Sequence, residues 1–182
     1  NTVLAQQPFS EEIEPLGYAK PSLIETATSK SIPAKSLDSI SQRDESLRQT
    51  SKSEIPHRIG YQNRVDVNMM TPNLWQNIDN DSLALFSLQI EGAKAVYLVF
   101  DKFWLPKGSS LFIYNKQRTH FVGPYNHANN NGTRTQVKGF CSGLVAGDEI
   151  IVEYHPPDKN DSQAIISLKN VINVYSPPRF LF

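Results

Sequence analysis

The chain has 182 residues, with 18 Lys and Arg against 18 Asp and Glu, so its formal net charge is zero and no electrostatic case for nucleic-acid binding arises. No apolar run approaches the roughly 20 residues that a membrane-spanning helix needs. Cys141 is the sole cysteine, which excludes an internal disulfide, a CxxC redox pair and a cysteine-based zinc site.

From the start of the chain, residues 1–56 carry eight acidic and six basic side chains, no Trp, and only Phe9 and Tyr18 among the aromatics. Such a composition is too polar to offset the entropy of ordering the segment by itself, so it reads as a largely unstructured leader or linker. Its lysines at 20, 30, 35 and 52 are expected to be open to proteolysis. Leu37, Ile40 and Leu47 recur at loose helical spacing, which predicts at most a transient helix around residues 36–49. The first residue is Asn1, not Met. Val3-Leu4-Ala5 before Gln6 fits the end of an export signal, leaving residues 1–5 as its remnant, and fits an arbitrary starting point equally well.

From Ile55 the texture changes to short alternating runs. Val65, Val67 and Met69 predict a half-buried strand, and Ala84, Phe86, Leu88 and Ile90 a second, broken by Gly92. A third covers Lys94 to Phe100, with apolar residues on both faces. Pro106-Lys107-Gly108 supplies a turn before a strand at Leu111–Asn115, and a hairpin through Arg118 returns along Thr119–Val122. Asn126–Thr133 reads as a surface loop. Strands resume at Gln136–Cys141 and, after the Gly147-Asp148 turn, at Glu149–His155. Pro156–Asp161 is a further loop, followed by strands at Ala164–Leu168 and Val171–Tyr175. This is an all-β pattern, matching an antiparallel β-sandwich or jelly roll over residues 57–176. Its expected core comprises Phe86, Leu88, Ile90, Val96, Leu98, Phe100, Leu111, Ile113, Ile150 and Val152.

Chemistry-bearing motifs are sparse. There is no GxSxG elbow, and Gly139-Phe140-Cys141-Ser142-Gly143 lies in a strand and turn, where a small Cys packs as an apolar side chain. No catalytic residue is assigned. The four histidines lack metal-ligand spacing, and no cofactor is expected. Asp79 and Asp81, with Asp158 and Asp161, offer hard oxygens suited to a structural calcium, and the same residues suit loop geometry without one. Trp75, Trp104 and Tyr125, with Tyr61, lie at strand ends where they could stack on sugars or pack at the sandwich rim.

The ordered string from Ala93 through Asp101-Lys102-Phe103-Trp104-Leu105-Pro106-Lys107-Gly108 into Leu111-Phe112-Ile113-Tyr114-Asn115 is followed by Gly123-Pro124-Tyr125. Gly143 to Tyr154 and Pro156-Pro157 then come in the same order. Together these blocks resemble the non-catalytic N-terminal region of secreted bacterial lysyl endopeptidase-like, trypsin-fold serine proteases, especially those of the Bacteroidetes type, over about Ile55 to Tyr175. The resemblance implies a secreted or cell-surface prodomain, not itself an enzyme, whose partner is the protease domain of the same precursor. Residues 177–182 would connect the two. Where that family's closing strand carries a His-small-Tyr-Arg pattern, this chain has Asn173-Val174-Tyr175-Ser176. The implied role is to assist folding of the protease, to shield it, or both. An extracellular module that binds glycans or cell surfaces is the alternative, and a free-standing enzyme the third reading.

Overall fold

A computed structural model describes residues 14–51, 58–78, 81–157 and 164–175. The chain opens with two single-turn helices, α1 (Leu16–Ala19) and α2 (Ser22–Glu25), then strand β1 (Thr28–Ile32) and helix α3 (Leu37–Thr50). Strands β2 (Gly60–Asn68), β3 (Trp75–Ile78), β4 (Asp81–Ile90), β5 (Ala95–Trp104), β6 (Ser110–Asn115) and β7 (Phe121–Tyr125) follow. Four two-residue strands come next: β8 (Gly132–Thr133), β9 (Gln136–Val137), β10 (Phe140–Cys141) and β11 (Val145–Ala146). Two long ones, β12 (Glu149–His155) and β13 (Ile165–Val174), complete the set.

Alternation along these strands builds the all-β sandwich that the sequence predicts. One sheet runs β1-β4-β12-β6-β7, with β3 tiling the first half of the β4 edge whose second half β1 occupies. The other runs β10-β5-β13-β2, with β11 also on β5. All pairings are antiparallel except β1 on β4. Every residue expected in the core is buried in one cluster between the sheets. The two predicted strands at 164–168 and 171–175 are one continuous strand, β13, with a bulge between Leu168 and Asn170 that lets it follow both neighbours. The return strand of the hairpin starts later than predicted, because the Asn115 side chain closes a wider turn by accepting from the Thr119 and His120 amides at 2.9 and 3.0 Å. In the Asn-rich loop, Asn130 exchanges two 2.8 Å bonds with the backbone of Leu105, taking the place of a neighbouring strand.

The boundary expected at residue 56 lies outside the described residues, while residues 14–51 are joined to the sandwich. Within residues 14–51, β1 pairs over five positions with β4, and a second cluster on the outer face of the first sheet joins Ile24 to Leu83, Leu85, Phe112, Tyr114 and Ile151. Leu16, Tyr18, Leu23 and Ala27 pack against it. The segment builds no core of its own. It completes one, because β4, β6 and β12 are apolar on both faces and their outer face would otherwise meet water. Lys30 and Lys35, expected to be open, are also engaged: Lys30 Nζ donates to the Val65 carbonyl at 2.6 Å and Lys35 Nζ to that of Gln62 at 2.9 Å. Both cap the edge of β2, whose single strand neighbour among the described residues is β13. Helix α3 spans 14 residues where at most a transient helix was expected, with Ser36 capping its start. It buries none of its side chains.

Candidate functional site: the Glu153 clasp

On β12, alternation sends Ile150, Val152 and Tyr154 into the sandwich and Ile151, Glu153 and His155 to the outer face. Glu153 is a carboxylate with no exposed surface. Four donors converge on its two oxygens. Oε1 accepts from the Leu16 amide at 2.6 Å and meets His155 Nε2 at 2.5 Å. Oε2 accepts from the Tyr114 hydroxyl at 2.6 Å and the Gly17 amide at 3.1 Å. A buried charge survives only with such pairing. Burial pushes the Glu153 carboxyl up, but the bonds from His155 and Tyr114, attraction to the His155 ring and the Gly17 amide more than offset it, leaving the group below the usual carboxylate range. Burial, with the neighbouring Glu153 charge, pushes the Tyr114 phenol far above its ordinary value, so it stays a donor.

The clasp holds the N-terminal segment against the sheet. Gly17 is required there, since a Cβ at that position would stand 2.1 Å from the Tyr114 hydroxyl. Beyond it, the Tyr18 ring sits edge-on between Tyr114 and Phe121, at 5.3 and 5.7 Å, and Arg118 donates to the Tyr18 carbonyl at 3.0 Å.

A Glu-His pair in contact is also the pattern of a general base. Here the carboxylate is saturated by backbone and phenol donors, and among the described residues no hydroxyl or thiol hydrogen-bonds to His155. In the glycine-flanked stretch, Ser142 Oγ accepts from the Leu98 amide at 2.9 Å and donates to the Gly143 carbonyl at 2.8 Å, which ties it to β5. Cys141 stands exposed on β10 instead of packing as the apolar side chain expected, because the pleat of this short edge strand turns it outward, and partial desolvation still pushes its thiol up, away from the reactive thiolate. His120 Nδ1 accepts from the Ala146 amide at 3.0 Å.

The rim aromatics each have their own intramolecular neighbour. Trp75 meets Tyr154 edge-on at 6.1 Å, Trp104 lies beneath the Arg134 guanidinium at 4.9 Å, and the Tyr125 hydroxyl accepts from the Gly143 amide at 2.8 Å while its ring packs on Phe140. Asp81 stands exposed at the start of β4. Asp79, Asp158 and Asp161 lie outside the described residues, as do residues 1–5 and 177–182. Among the described residues no group of three or more His, Cys, Asp or Glu side chains is placed to hold a metal ion. Asn173, at the position where the resembled family carries His, is buried and donates to the Tyr61 hydroxyl at 2.9 Å. That hydroxyl also accepts from the Lys35 amide at 3.1 Å.

Sequence reading passed over Glu153. The signal was a single acid in mid-strand, in phase with Ile151 and flanked by Val152 and Tyr154, which places a charge on a face that is otherwise apolar.

No protein-family model matches the chain, and no curated protein does. Among solved structures, the isomalto-dextranase of Arthrobacter globiformis T6 complexed with panose is similar over 56% of this chain at 14% identity, with a TM-score of 0.32. The match spans 18% of that enzyme's length.

Proposed function

We propose that this chain is a non-catalytic β-sandwich module of a secreted trypsin-fold serine endopeptidase, acting on the protease domain by surface complementarity to assist its folding, to shield it, or both. One observation carries the reading. The blocks of sequence that resemble such N-terminal regions fall together on the framework of the sandwich: β5 and its turn into β6, the β6-β7 edge, and β11 with the Gly147 corner into β12. The resemblance therefore attaches to a connected folding unit rather than to scattered strings. Support also comes from the use made of the reactive side chains, since Ser142 and Glu153 are committed to holding backbone. A preformed sandwich that binds only the folded enzyme stabilises it by mass action.

The test is to titrate the full chain against a lysyl endopeptidase-type catalytic domain produced separately, following heat, refolding yield and cleavage of a peptide ending in Lys. The expected result is binding at micromolar concentration with a higher refolding yield or suppressed cleavage. No heat together with unchanged yield and cleavage would overturn the proposal.

A further inference from the structure

Residues 14–51 carry five basic side chains, Lys20, Lys30, Lys35, Arg43 and Arg48. An endopeptidase binds its substrate extended, so a segment must leave its own structure before it is cut, and the ease of cutting follows the contacts it gives up. Three of the five sites are held by the sandwich or by the sequence that follows them. Lys30 lies within β1, paired to β4, with its ammonium on the Val65 carbonyl. Lys35 is held through its amide on the Tyr61 hydroxyl, through its ammonium on the Gln62 carbonyl, and over the Tyr61 ring at 4.8 Å. The bond after Lys20 runs into Pro21, whose ring nitrogen carries no hydrogen and fits a trypsin-type cleft poorly.

Arg43 and Arg48 differ. Both lie in α3, which has no buried side chain and leaves Leu37 and Leu47 at 49% and 43% exposure. Among its contacts with the rest of the described chain is the ion pair of Arg58 with Asp44, at the mouth of an open groove of ≈ 590 Å³ between the helix and Tyr175. Asp44 is largely covered in that pair, but no α3 residue belongs to either apolar cluster, so unwinding this helix forfeits almost nothing of the core. On its N-terminal side the contacts are of another kind: the five-position β1-β4 ladder, the buried Ile24 and Ile32, and the Glu153 clasp.

We propose that α3 is a processing segment, cut on the carboxyl side of Arg43 or Arg48 by an arginine-directed endopeptidase, and that the N-terminal arm stays seated on the sandwich after the cut. The step is hydrolysis: water adds to the arginine carbonyl carbon, the C–N bond breaks, and the new carboxyl and amine share the elements of that water. The inference does not rest on the prodomain reading and survives its failure.

The experiment treats the native full chain with an arginine-specific endopeptidase and, separately, with a lysine-specific one, sampling each by denaturing and by native mass spectrometry. Within residues 14–175, the first arginine cut is expected after Arg43 or Arg48, with the two pieces remaining together as a particle one water heavier than the intact chain. The bonds after Lys30 and Lys35 should be cut more slowly by about tenfold or more. A first arginine cut at Arg58, Arg64, Arg118 or Arg134, comparable cutting at Lys30 or Lys35, or separation of the pieces without denaturant would each overturn the proposal.

Discussion

Replacing Glu153 by Gln keeps the size of the side chain and removes two acceptor sites, because the new amide group turns N–H bonds toward donors that need oxygen. Glu153→Gln should therefore lose about 1–3 kcal/mol of stability in urea denaturation, with the loss concentrated in the arm; an unchanged midpoint would show that the clasp contributes nothing. The native pH response has a definite sign. Because the folded carboxyl lies below its ordinary value of 4.5, its contribution is complete above that value and is lost as pH falls through the lower, folded one. Protection of the Leu16 and Gly17 amides, taken as exchange relative to the intrinsic rate at each pH, should accordingly fall on acidification below about pH 4.5, before the core strands open, and Glu153→Gln should abolish that pH dependence. At the same spot Gly17→Ala forces a methyl onto the Tyr114 hydroxyl, which cannot swing away because it is buried and bonded to Glu153. A loss of about 1–3 kcal/mol in the same denaturation assay is expected, and wild-type stability would mean the contact relaxes freely.

Among the strands, β5 carries the clearest test of the core. Leu98 is 1% exposed, opposite Val171 of β13, and its truncation in Leu98→Ala should cost about 2–5 kcal/mol; calorimetry showing no change would remove it from the core. The inner faces of β4, β5, β6 and β12 were legible in the sequence because period-two alternation records one buried face directly. The outer face of the first sheet was recorded too, as the unbroken apolar run Leu83-Ala84-Leu85-Phe86 in β4 and as Leu111 to Tyr114 in β6, but such a run does not say what covers it. Its cover was hidden by averaging: Leu16, Tyr18, Leu23, Ile24 and Ile32 are too few to fold alone and are diluted by the polar α3 that follows. The short strands β1 and β3 were illegible for a related reason. Their residues follow the edge of β4 that they pair with, so their conformation is set by a partner far along the chain. Glu153 needed the same tertiary knowledge, since its four donors come from three separate elements.

At the scale of the molecule, the N-terminal arm is a third layer laid over a two-sheet sandwich, and it closes two open edges at once. It covers Leu83, Leu85, Phe112, Tyr114 and Ile151, pairs the second half of the β4 edge, and sets Lys30 and Lys35 on carbonyls of β2. Deleting residues 1–35 would uncover all of these together. The remaining chain keeps the inner core, whose residues come from β2 to β13 with Ile32 as the arm's one member, so the sandwich should still fold. What it would lose is protection against its own copies, because an apolar face beside an unpaired strand edge is the template for edge-to-edge association. The truncated chain is therefore expected to form concentration-dependent oligomers by light scattering while retaining the β-sheet circular dichroism of the full chain. A truncated chain that stays monomeric at every concentration would mean that the outer face tolerates water. The arm would then serve the clasp alone.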